Sequence, residues 1–370
     1  LIYLDANASE PLRPEARAAA LAALEISGNP ASIHGAGRAA RRLLEDAREG
    51  LARHLGARPA DLVFTSGATE ANALAIHGLG TGRSVLIGAT EHDAVRAAAP
   101  DAVVLPVTAD GTMAMEVLED AVIAHPGALV CLMAANNETG VLHDIAGAAA
   151  ICLRHGAVLH VDAVQAVGRG AWPGLLPGIG SLAISGHKFG GPLGAGALVL
   201  APAQAALLRP LIAGGGQEAG RRGGTPALPA IAGMVAALRG SYDASAILRL
   251  RRTIEDFAIG KGALVVGAGA ARLPNTVCLA YPDIRADTQL IGLDLRGVAV
   301  SAGSACSSGK LAASHVLEAM GLGKLAGQAI RVSLPWNVAA ADVAGFTQAY
   351  EIVIQRALHG AGRAFTEAAV

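Results

Sequence analysis

The sequence predicts an α/β protein, its larger part a mostly parallel sheet covered by helices on both faces and its smaller part an α/β unit at the C-terminal end. Three observations carry this. Between residues 62 and 200, short apolar runs alternate with helix-like stretches; the runs are continuously apolar; and the composition changes after Thr225. A strand that is apolar at every position is buried on both faces, the environment of a parallel sheet between two helical layers.

At 370 residues the chain exceeds the length over which one core usually suffices. Two domains are expected, a large one over 13–245 and a small one formed by 1–12 and 246–370. Hydrophobic residues make up 52% and charged residues 16%, too apolar for a disordered chain. No apolar run approaches the about 18 to 20 residues of a spanning helix. Net charge is −1, and Arg41-Arg42, Arg221-Arg222 and Arg251-Arg252 are too short to form a nucleic-acid footprint. Neither membrane nor nucleic acid is therefore an expected partner. Cys131, Cys152, Cys278 and Cys306 show no close pairing and no signal peptide precedes them, which points to a reducing cytoplasm. Cys131 and Cys278 lie in apolar runs and Cys152 in a helix-like stretch; Cys306 sits among Ser, Gly and Ala.

In chain order, Ile2-Tyr3-Leu4 reads as a short strand and residues 5–11 as a turn before a helix starting near Pro14. Residues 28–35, rich in turn formers, lead into an Arg- and Ala-dense helix from Arg38. Strands follow at 62–65, 85–87, 103–107, 129–133, 158–162, 182–185 and 197–200, which makes seven for the large sheet. After Thr225 comes a helix rich in Ala and Met. Apolar runs at 264–266, 275–280 and 330–334 then suit the small domain, to which the N-terminal strand returns.

The chemistry gathers around Ser185-Gly186-His187-Lys188, which follows the run Leu182-Ala183-Ile184. A single lysine after a strand is usually a solvated surface residue. Here it has company. Val158-Leu159-His160-Val161-Asp162 ends an apolar strand in a carboxylate, with Gln165 one turn on. Phe64-Thr65-Ser66-Gly67-Ala68-Thr69-Glu70 passes from strand to helix through small residues, and the free N–H groups of such a helix start suit a phosphate. Amine, carboxylate and phosphate cradle together fit pyridoxal 5′-phosphate (PLP), with Lys188 carrying the cofactor and Asp162 keeping its ring nitrogen protonated. Gly67, Ala68 and Thr69 are the expected phosphate donors, with Ser185 and His187 approaching from the lysine loop. Ligands of parallel sheets bind beyond the carboxyl ends of the strands, and Thr69, His92, Asn137, Asp162 and Lys188 all follow such ends.

These motifs, in this order from Tyr3 to about Ser333, closely resemble the cysteine desulfurases, the NifS-like branch of the fold-type I (aspartate aminotransferase-like) PLP enzymes. The resemblance implies that His92, in Thr90-Glu91-His92-Asp93, stacks over the cofactor ring and assists proton transfer, and that Asn137 and Gln165 hydrogen-bond its phenolate oxygen. It implies that Thr225, in Gly223-Gly224-Thr225-Pro226, reaches the phosphate of a neighbouring subunit, giving a homodimer with shared sites. Arg331 would hold the carboxylate of L-cysteine, and Asn29 and His34 would lie near the substrate or merely shape a helix entry. Lys188 or His92 would move the α-proton, and the Cys306 thiolate would take the sulfur as a persulfide, leaving L-alanine. The sulfur would pass to an acceptor or scaffold protein for iron–sulfur cluster assembly or thiolation. No metal is implied.

Two stretches depart from the family pattern. Ser9 and Glu10 stand where two threonines are expected, and Pro335-Trp336-Asn337 follows Leu334 where glycine is expected. Proline fixes φ and removes a donor, so the backbone near the carboxylate site is expected to differ. Two other readings compete: a selenocysteine lyase or other fold-type I PLP enzyme, and a PLP-binding scaffold of low turnover that organises partner proteins.

Overall fold

The computed structural model describes residues 1–303 except 171 and 173, and residues 313–367, with side chains through 358. Strand β1 is Ile2–Tyr3. Strands β2 (Leu62–Thr65), β3 (Val85–Gly88), β4 (Val103–Leu105), β5 (Leu129–Met133), β6 (Val158–Asp162), β7 (Ile179–Ser185) and β8 (Gly196–Leu200) build one seven-stranded sheet in the order β2-β8-β7-β6-β5-β3-β4. Only β8 runs against the others, pairing antiparallel with both β2 and β7. Strands β5 to β8 are buried at every position, as their mostly apolar sequences without alternation lead one to expect. The carboxyl ends of β2, β3, β5, β6 and β7 consequently share one edge, and the loops that leave it carry the candidate residues.

Most element boundaries fall within one residue of the sequence reading, and three larger differences each have a local reason. The strand expected over 103–107 stops at Leu105, because Pro106 has no N–H for the ladder. The strand expected from 182 begins at Ile179, where Gly178, at φ +93, turns the chain into it. The helix expected from Arg38 begins at Gly35, because His34 caps it: its Nδ1 accepts from the backbone N–H of Gly37. His34 thus serves the helix entry.

A second core lies against this layer. Strands β9 (Leu264–Val265), β10 (Thr276–Ala280) and β12 (Ala329–Ser333) form an antiparallel sheet, and β11 (Val298–Ala299) pairs with β1. Leu4 is buried in the same cluster as Val277, Leu279, Ile330 and Phe346, so the N-terminal strand packs with the C-terminal residues. Asp5 bridges to Ser333, which places the turn after β1 next to β12.

A buried ion pair fastens the glycine-rich segment before Thr225 to the large sheet. Arg48 donates to both oxygens of Glu218, at 2.9 and 2.7 Å, and Glu218 also accepts from the backbone N–H of Phe64 at 2.8 Å. The Arg48→Met variant leaves Glu218 buried without its partner. It should lose about 3–5 kcal/mol of stability, read as a lowered denaturation midpoint.

Candidate active site

Loops from the shared strand edge close around a cavity of about 540 Å³. Gly67, Ala68, Thr69, His92, Asn137, Asp162, Gln165, Ser185, His187, Lys188 and Arg331 all line it. Asn29 does not: it is exposed, and its Oδ1 accepts from the N–H of Ala31 at 2.9 Å, closing its own turn beside a second hollow. Thr225 is exposed in a small separate hollow with Ser66 and Arg222. Cys306 lies outside the described residues; Ser301 and Gly303, just before it, line the cavity.

At one end of the cavity starts the helix Ala68–Gly80. Its first N–H groups have no intrahelical partner and carry the positive end of the helix dipole. Gly67 opens it at φ +155, a conformation open in practice only to glycine, and a side chain on Gly196 of β8 would strike the Gly67 backbone at 2.6 Å. Ser185 is buried beside this start, and burial together with Lys188 and Arg169 lowers the His187 pKa to about 4, so its ring is neutral and retains one N–H donor. Ser66 donates from both its N–H and its hydroxyl to Glu70, which is paired with Arg222 at 2.7 Å. That network fixes the turn beside Gly67, Ala68 and Thr69, which line the cavity.

Lys188 lines the same cavity. Its Nζ donates to the carbonyls of Asn7 at 2.7 Å and Ala8 at 3.0 Å. Burial, then the positive charges of Arg331 and Arg169, lower its pKa to about 8. An ordinary lysine is an inert cation at neutral pH; this one is poised to be a free amine, the form a nucleophile needs.

The protein itself supplies Asp162 with two partners. Asn72 Nδ2 donates to Oδ2 at 2.7 Å, and the backbone N–H of Val164 donates to Oδ1 at 3.0 Å. Behind Asn72, its Oδ1 lies 2.9 Å from His160 Nε2, and His160 Nδ1 lies 2.8 Å from Ser181 Oγ. Burial lowers the His160 pKa to about 3, so the ring is neutral. Because the Asn72 amide gives its hydrogen to Asp162, its oxygen must accept, which puts the His160 proton on Nε2 and makes Ser181 the donor to Nδ1. The chain of bonds has one direction and ends on the carboxylate facing the cavity. Sequence reasoning missed Asn72, His160 and Ser181, although Asn72 lies one helical turn beyond Thr69 and His160 shares its strand face with Asp162.

His92 caps a short helix, its Nδ1 accepting from the N–H of Ala94 at 3.1 Å. Its proton is therefore on Nε2. The cap thus engages Nδ1 and holds the ring at the cavity that His92 lines. Arg331 is engaged too: NH2 meets Asp5 Oδ1 at 2.6 Å, NH1 donates to the carbonyl of Asn137 at 3.1 Å, and Nε is buried without a partner. His315, also missed, lines the cavity with Nε2 held 3.0 Å from the carbonyl of Glu91. A phosphate cradle, a near-neutral lysine and an aimed carboxylate around one cavity fit a phosphorylated pyridine aldehyde on the chemistry of the donors alone.

Comparison with known proteins agrees. The family model described as aminotransferase class-V matches residues 2–346. A cysteine desulfurase of Cereibacter sphaeroides is 40% identical over 361 residues, 92% of this chain and 92% of that protein. An IscS-like cysteine desulfurase of Mycobacterium tuberculosis is 36% identical over 369 residues, 93% of each. The X-ray structure of a NifS-like protein from Rickettsia africae superposes with a TM-score of 0.86 at 34% identity, covering 96% of this chain and 99% of that one.

Proposed function

The chain belongs to the aminotransferase class-V family and is a PLP-dependent cysteine desulfurase of the NifS-like kind, and from that premise we propose how its residues divide the work. When bound, PLP supplies an electron sink for bond breaking at the substrate α-carbon. The helix start at Gly67, Ala68 and Thr69, with Ser185 and His187, holds the phosphate; Asp162 holds the proton on the ring nitrogen; Asn137 and Gln165 face the ring oxygen; His92 covers the ring. Arg331 takes the substrate carboxylate. Lys188, with a pKa of about 8, accepts the α-proton and returns it to the product side. Cys306 then attacks the substrate sulfur: the carbon–sulfur bond breaks, a sulfur–sulfur bond forms, and cysteine plus thiol become L-alanine plus persulfide.

The observation that carries this reading is that Lys188, Asp162 and the start of the helix at Gly67 to Thr69 line one cavity. The same reading includes a homodimer in which Thr225 reaches the partner's phosphate site, the division into domains 13–245 and 1–12 with 246–370, a cytoplasmic setting, and a protein acceptor for the sulfur. Exposure of Thr225 outside the cavity supports the dimer. Among the described residues no helix is long and apolar enough to cross a membrane.

Purified holoprotein given L-cysteine and a thiol reductant should release alanine and sulfide in equal amounts. A coloured protein that releases neither would instead be a scaffold. Asp162→Asn should slow alanine formation roughly 100- to 1,000-fold, the scale of one preorganised electrostatic contact. Near-normal turnover by the folded variant would remove Asp162 from the assignment.

A further inference from the structure

A buried ion pair that none of the assigned roles uses ties the N-terminal turn to the floor of the cavity. Arg169 NH2 lies 3.2 Å from Glu10 Oε2, with each side chain 1% exposed. Arg169 also donates to Asn7 Oδ1 at 2.7 Å, to the carbonyl of Ala6 at 3.1 Å and to Gln165 Oε1. The other oxygen of Glu10 accepts from the backbone N–H of Trp336 at 2.5 Å, and the Glu10 N–H donates to the carbonyl of His187 at 2.8 Å. The Trp336 indole donates to the carbonyl of Pro11 at 2.9 Å, beneath the Arg13 guanidinium at 4.8 Å. Residues 6 to 11 are thereby pinned to the loop after β6, to the lysine loop and to the segment after β12. The carbonyls of Asn7 and Ala8 are the ones that hold Lys188 Nζ, and that of Asn7 accepts from Gln165 Nε2 at 3.0 Å as well.

We propose that Glu10 is a positioning residue for the reaction: through Arg169 and the Trp336 backbone it holds the Asn7 and Ala8 carbonyls on the Lys188 amine and neutralises the buried cation beside it. The inference rests on Lys188 being the cofactor lysine. A buried charge near a titrating amine acts on it at a distance that water would otherwise screen. The groups acting on Lys188 are Arg331 and Arg169, which lower its pKa, and Asp162 and Asp5, which raise it. His187 beside it is neutral, and His92 and His315 line the same cavity. With Glu10 uncharged, the Arg169 charge is unopposed and the amine should release its proton at lower pH.

The readout is the pH midpoint of the absorption band of the lysine-bound cofactor in holoenzyme, with kcat and KM for cysteine measured alongside. Glu10→Gln should lower that midpoint by about one unit and reduce kcat several-fold, with KM little changed because Arg331 is untouched. Trp336→Phe keeps the backbone N–H and the ring but loses the indole donor; it should leave the midpoint where it was. The pair Glu10→Gln with Arg169→Gln removes both charges and should bring the midpoint back. A wild-type midpoint in folded Glu10→Gln, or an equal shift in Trp336→Phe, overturns the proposal. Should Glu10→Gln not fold, Glu10→Asp decides: it keeps the charge but draws the carboxylate back, so an unmoved midpoint with lowered kcat supports the proposal and wild-type kcat overturns it. Borohydride trapping separates the two levels. Cofactor fixed on another lysine refutes the Lys188 assignment; cofactor on Lys188 with an unmoved midpoint refutes only the role of Glu10.

Discussion

Lys188→Ala should lose the covalent cofactor link and at least roughly 100- to 10,000-fold in alanine formation, the span associated with a positioned acid–base group, with the loss of the nucleophilic amine added to it. Borohydride reduction of wild-type protein should fix the cofactor on Lys188; finding it on Lys261, Lys310 or Lys324 would overturn the assignment. A pH series offers a second check with a definite sign. The folded pKa of about 8 lies below that of an ordinary lysine, so protonation of the free amine is lost as pH rises through about 8. Any step that needs the unprotonated amine should accelerate from neutral pH to about 8 and then level off. A rate that falls across that interval would assign the base to another group.

Cys306→Ala should bind PLP and L-cysteine and yet form alanine only at background, since neither Lys188 nor Arg331 is touched. The other thiols make poor substitutes. Cys131, Cys152 and Cys278 are buried, and burial raises the pKa of each, that of Cys152 to about 12, so none supplies a thiolate near neutral pH. Wild-type protein exposed to L-cysteine and then alkylated should carry one extra sulfur on Cys306 by mass spectrometry. An extra sulfur on one of the buried three, or alanine formed by Cys306→Ala at the wild-type rate, would refute the transfer route.

Much of the sheet was legible because the strands between Leu129 and Leu200 are mostly apolar and show no polar–apolar alternation, and a run without that period says that both faces are covered. Its reversal at β8 was not legible, since side-chain periodicity is the same in either direction. Lys188 and Asp162 were legible because each is a charge at the end of such a run. Their partners were not. Asn72 reaches Asp162 across 90 residues, and Arg169 reaches Glu10 across 159, and nothing local marks a polar residue as half of a distant pair. The two departures from the family pattern illustrate this best. Glu10 and the Pro335-Trp336 segment read as unrelated oddities in the sequence, yet the Trp336 N–H lands on the Glu10 carboxylate. Proline gave up its own donor there, and the next residue provides the one that is used.

Asp5, at 2.6 Å from Arg331, has a bearing on which molecules can be turned over. On the assignment of Arg331 to the substrate carboxylate, the guanidinium is never bare: an arriving amino acid swaps one anion for another, and the desolvation of the cation has been met beforehand by the fold. The net gain on entry is then a difference between two ion pairs. A thiol amine that lacks a carboxylate brings nothing to the exchange and leaves the Asp5 pair intact. On that assignment, the preference for an α-amino acid over its decarboxylated counterpart would come from Arg331 and be tempered by Asp5, so removing the Asp5 charge should widen it.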